Sequence, residues 1–107
     1  IPADSQGDTL LLPPEDVRFF RAEKKYALAF LREETYLANL SLAELEGRLG
    51  DLGFLRVHRS HMVNLRHVTR LRVQDGQTYL LLDTAPPQRV PVSRRSLDSV
   101  RARLGLS

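Results

Sequence analysis

Residues 54 to 73, FLRVHRSHMVNLRHVTRLRV, gather most of the side chains in this sequence that could do chemistry. The stretch holds Arg56, Arg59, Arg66, Arg70 and Arg72, all three histidines (His58, His61 and His67), and no acid. His58, Ser60 and His61 stand close together, with Asp51 upstream. A serine nucleophile needs a base in hydrogen-bond reach and a third group to orient that base. Strand neighbours point to opposite faces, and no acid stands at a spacing that would orient either histidine. Catalysis is therefore not expected. The histidine spacings match no standard zinc site, and the chain has no cysteine. Its six glycines are scattered, with no Gly-rich phosphate loop. No metal or cofactor is expected. What remains is arginine, whose planar fork suits both guanine edges and phosphates. Serine, asparagine and histidine add short polar contacts.

The elements that must carry these groups read as short strands. Phe54-Leu55 opens a run, His58-Arg59-Ser60 breaks it, and Met62 to Leu65 resumes it. The apolar residues anchor strands, while the break lifts Arg59 and a neighbour out of the sheet. Val68 to Val73 alternates, and although Val68, Leu71 and Val73 also suit a helix, Asp75-Gly76 directly after is a hairpin turn signal. Arg70 and Arg72 are expected to face solvent. Upstream, Thr9 to Leu12, Val17 to Arg21, Tyr26 to Leu31 and Thr35 to Ala38 read as strands. Leu42, Leu45 and Leu49 share one helical face, Ser41 and Glu44 form a capping box, and Gly50 is expected to end the helix. Tyr79 to Leu82 and Arg89 to Val92 are strands, and Ser93 opens a second helix with Leu97, Val100 and Leu104 inward.

The chain has 107 residues, the size of one small domain. No apolar run approaches the ~20 residues of a membrane span, and no signal peptide opens it. Residues 1 to 8 are expected to be a flexible lead-in, followed by one domain over 9 to 107, cut from a longer protein. Net charge is +3, but charge is clustered. Asp4, Asp8, Glu15 and Asp16 stand in the first sixteen residues with no base, while Arg89, Arg94, Arg95, Arg101 and Arg103 oppose only Asp98 near the end. Such clustering suits a polyanion. On charge alone a solvated basic face fits equally well, as does a module that docks acidic proteins or membrane surfaces.

FLRVHRSHMVNL followed by HVTRL closely resembles the signature of the LytTR DNA-binding domain. EDVRFFRAEKKYALAFL is similar to the family's opening strands, SLAELEGRL to its short helix, and VPVSRRSLDSVRARL to its closing strand, turn and terminal helix. The resemblance covers about residues 9 to 104. It implies a mostly β domain of about ten short strands in small antiparallel sheets, with a short central helix and a C-terminal helix. It implies sequence-specific binding of double-stranded promoter DNA through basic loops in successive major grooves. It further implies a dimer on repeats, a bacterial response regulator with a receiver or other sensor at its N-terminus, and a cytoplasmic location. Three places match the family's DNA-contacting loops. The first is the turn at Lys24, Lys25 and Tyr26. The second is His58, Arg59 and Ser60, and the third is Ser93, Arg94 and Arg95. Arg59 and Arg95 are expected to read bases, and Lys24, Lys25, Arg94 and Arg66 to contact phosphates. His58 is expected half-buried, Asn64 structural. His61, where the family more often has an aromatic or aliphatic residue, is expected at the sheet edge.

Overall fold

A computed structural model describes residues 1 to 106. Ten strands and two α-helices follow in the order β1 (Pro2–Ser5), β2 (Asp8–Leu11), β3 (Phe19–Glu23), β4 (Tyr26–Phe30), β5 (Thr35–Ala38), α1 (Leu42–Leu49), β6 (Phe54–His58), β7 (His61–Asn64), β8 (Val68–Gln74), β9 (Gln77–Leu82), β10 (Gln88–Val92) and α2 (Leu97–Arg103). Seven strands form one antiparallel sheet in the order β2-β1-β5-β4-β3-β7-β6, and three form a second in the order β10-β9-β8. The mostly β reading holds.

Alternation of apolar residues decides which faces are covered. Phe20, Ala27, Ala29, Phe54 and Met62 of the large sheet close over Leu42, Leu45 and Leu49 of α1. Phe19, Val57 and Val63 meet Leu80, Leu82, Val90 and Val92 of the small sheet and Val100 of α2 in a second cluster. The two sheets are also pinned by polar contacts. Asp83, just past β9, lies 3.0 Å from Arg32 and 3.6 Å from Arg18, and Arg18 Nε donates to the Asp83 carbonyl.

Helix α1 begins as its sequence requires. Glu44 N–H donates to Ser41 Oγ, and Ser41 N–H donates to the Glu44 carboxylate. That backbone bond, more than the Ser41 hydroxyl or Arg48, holds the Glu44 pKa below its usual value. Asp75 and Gly76 both adopt positive φ, 53° and 78°, so the β8–β9 connection is the tight hairpin that Asp-Gly favours.

Three expectations need correction. Residues 1 to 8 are not a flexible lead-in: β1 pairs with β2 and, through Ala3 opposite Ala38, with β5. Ala3 is fully buried; the small side chain gives little sequence signal of this. Val17 closes a 3-10 turn, and the strand starts only at Phe19. Gly50 ends α1 as expected, though in a right-handed conformation; a further 3-10 turn follows, and Gly53 supplies the left-handed residue at φ 87°. Ser93 caps a 3-10 turn, Arg94–Ser96, before α2 starts at Leu97.

Candidate nucleic-acid interface

The three loops singled out by sequence lie at one end of the molecule. Glu23 pairs with Tyr26, so Lys24 and Lys25 form the tip of the β3–β4 hairpin. Arg21 pairs with His61, which sets that tip beside the β6–β7 turn. Ala22 N–H donates to the Ser60 carbonyl at 2.9 Å and fastens the two. The third loop is fastened from the other side: Ser93 N–H donates to the Val57 carbonyl at 2.8 Å. Arg56, His58, Arg59, Ser93, Arg95 and Ser96 then line one open cavity of about 450 Å³. Arg59, Arg94 and Arg95 are exposed, as are Lys24, Lys25 and Tyr26; His58, Ser60 and Ser93 are half-buried.

The turn carrying Arg59 is held from within. Ser60 N–H donates to His58 Nδ1 at 3.1 Å, so that nitrogen carries its lone pair. Ser60 Oγ lies 2.8 Å from His58 Nδ1 and 2.8 Å from His61 Nδ1. One proton assignment leaves no acceptor facing an acceptor: the Ser60 hydroxyl donates to His58, and His61 Nδ1–H donates to Ser60. Burial, then the neighbouring His58 and Arg21, lower the His61 pKa to about 4, which leaves it neutral at pH 7. His61 packs 6.3 Å from the Phe19 ring; the expected place at the sheet edge needs correction, because β7 is an interior strand and His61 pairs with Arg21 on one side and His58 on the other.

Sequence reasoning missed Arg56. Its Nε donates to the His58 carbonyl at 3.0 Å, and its Nη2 donates to the Arg59 carbonyl. Its Nη1 meets Glu46 of α1 at 3.3 Å. One guanidinium therefore grips both carbonyls of the turn and ties the turn to the helix. Strand alternation gives no signal of this, because a bulge between Arg56 and His58 breaks the register and the acceptors are backbone carbonyls.

Arg66 does not join the loops. It lies past the other end of β7, beside Pro14, Glu15 and Asn64. Asn64 is structural, as expected: Nδ2 donates to the Val17 carbonyl, and Oδ1 accepts from Arg66 N–H. The β3–β4 tip is the least constrained of the three loops. Lys24 has φ 56°, a left-handed conformation in which a non-glycine side chain is unusual. Lys25 Nζ lies 5.4 Å over the Tyr26 ring. No ion pair neutralises Lys24, Lys25, Arg59, Arg94 or Arg95 among the described residues.

A clustered, unpaired set of cations on loop tips is what a polyanion interface requires. The family model of the LytTr DNA-binding domain matches residues 7 to 105. The chain belongs to the LytTr DNA-binding domain family. It is 38% identical over 106 residues to the heme-containing CO-sensing transcriptional regulator RcoM 1 of Paraburkholderia xenovorans, covering 99% of this chain and 40% of the relative. It is 36% identical to the transcriptional regulatory protein BtsR of Escherichia coli, covering 99% of this chain and 43% of that protein. A solved LytTr DNA-binding domain from Bacillus cereus superposes with a TM-score of 0.85 at 27% identity, covering 99% of this chain and 96% of that one. The chain thus spans about two fifths of the length of these curated relatives. Its function is that of the family, DNA binding.

Proposed function

We propose that the three fastened loops dock on duplex DNA from one side, with Arg59 and Arg95 reading base edges in the major groove. The observation that carries this is the shared cavity: a turn locked by Arg56 and by the His58–Ser60–His61 chain sets Arg59 beside Arg95. Lys24, Lys25 and Arg94 neutralise phosphates around them, His58 and Ser60 hold the turn, and Tyr26 and Ser93 complete the contact surface. Arg66, remote from the loops, is no longer assigned to the phosphates. The whole protein is a bacterial transcriptional regulator acting in the cytoplasm, where a receiver or sensor domain controls this one. Two copies bind repeated half-sites.

Selection from a random duplex pool at about 150 mM salt tests this. The expected result is a recovered repeat, with half-sites about 10 bp apart and a preference of about 10³-fold over random DNA. Binding without any enriched motif would contradict it.

A further inference from the structure

The small sheet has one face on the core and one face in solvent, and the open face is strongly basic. Along it, Arg72 stands opposite Tyr79, which stands opposite Pro91. Two residues further from the loops, Arg70 stands opposite Leu81, which stands opposite Arg89. The row between them, Leu71-Leu80-Val90, and the row beyond Arg72, Val73-Thr78-Val92, point the other way. Arg70, Arg72 and Arg89 are all exposed, and none makes an ion pair among the described residues. The Arg89 guanidinium lies 4.2 Å over the Tyr79 ring, which fixes its plane and leaves its N–H edge free. No acid lies on these rows.

This face is continuous with the loop end. The β8–β9 turn and the end of β10 come together with Ser93, Arg94 and His58 around one cavity. From Arg94 the polar surface runs through Gln74 and Gln77, then past Arg72 to Arg70 and Arg89. Arg70 and Arg72, two residues apart on one face, are spaced by about 7 Å.

We propose that this face is a second contact for the DNA backbone, taking the phosphates of the duplex that flanks the sequence read by the loops. It rests on the docking proposed above and extends the footprint beyond the bases read. Charged residues on an open strand also discourage edge-to-edge pairing, so the test must separate the two roles.

The selected operator supplies two duplexes, one trimmed to the enriched motif and one extended by about 10 bp on each side. The wild-type domain is compared with the triple variant Arg70→Gln/Arg72→Gln/Arg89→Gln, and with its all-lysine counterpart. On the long duplex the Gln variant is expected to show a salt slope shallower by about 2 to 3, close to one unit per lost phosphate contact. The lysine variant should restore most of the slope, because a phosphate needs charge more than a fork. On the trimmed duplex all three should behave alike. Backbone footprinting of the wild type supplies a variant-free check, with protection expected outside the motif. Equal slopes on the long duplex, or footprints confined to the motif, would overturn the proposal and leave the face to edge protection or an acidic protein partner. If no operator is recovered, the docking reading fails first and this one with it.

Discussion

The β6–β7 turn and the β3–β4 tip sit side by side at one end of the molecule, yet they are built in opposite ways. The first is bound by Arg56 to two of its own carbonyls, by Ser60 to two imidazoles, and by Ala22 to the neighbouring strand. The second has a hairpin register and little else; its lysine side chains make no hydrogen bond or ion pair among the described residues. A loop backbone held before binding loses less entropy when it binds, and it fixes the point from which its side chain departs. That suits base discrimination by arginine's fork. A free lysine supplies charge with little direction. One end therefore combines a reader carried on a fixed turn with an adaptable anchor.

Breaking the fixed turn should have the largest effect. Arg56→Met removes two bonds from a charged donor, each worth about 1.5–3 kcal/mol. Specific affinity, measured by titration of the selected operator, should fall by roughly 30-fold, or about 2 kcal/mol, with binding to random DNA reduced far less. Glu46→Gln removes only the exposed partner of Arg56 and should cost less than about fivefold. An equal loss on operator and random DNA in Arg56→Met would mean that Arg56 acts through charge alone.

Stripping the adaptable tip should look different. Lys24→Gln/Lys25→Gln should lower affinity evenly across sequences and flatten the salt slope by about 2. A sequence-dependent loss would move the tip into the reading set.

Acid should loosen the fixed turn before the rest. His61 is neutral in the fold, with its pKa lowered to about 4 from 6.5 by burial first, then by His58 and Arg21. The unfolded chain therefore binds more protons in that window, so this contribution is complete above about pH 6.5 and lost as pH falls toward 4. Thermal melts from pH 7 to 4.5 should show His61→Phe with a shallower decline than the wild type. An identical decline would move the acid sensitivity elsewhere. The smallest effect should come from the N-cap of α1. Ser41→Ala should cost about 1 kcal/mol of stability in denaturant melts and leave the specificity ratio unchanged.

The same contrast explains what could be read from the chain. The two helix faces, the capping box and the Asp75-Gly76 hairpin each rest on a local rule, and each stands where local chemistry puts it. β1 was not legible, because Ala3 is buried by pairing with Ala38, thirty-five residues on. Among the site residues, Arg59 and Arg95 could be named from a signature, but their shared cavity depends on the Ser93–Val57 bond between the two sheets. Arg66 shows the converse. It lies in the same basic stretch as Arg59, yet the extended β7 carries it about 13 Å away along the strand. Arg56 was counted as one more positive charge, whereas its hydrogen bonds make it the support of its neighbour.

The most direct test is a competition titration of the wild type, Arg59→Ala and Arg95→Ala between the selected operator and random duplex at fixed salt. An arginine fork on a guanine, presented from a held turn, predicts a loss of about 1–3 kcal/mol of discrimination per variant, roughly 5- to 150-fold in the specificity ratio. A ratio within about twofold of wild type for Arg59→Ala would contradict it, and would leave the locked turn without a base to read.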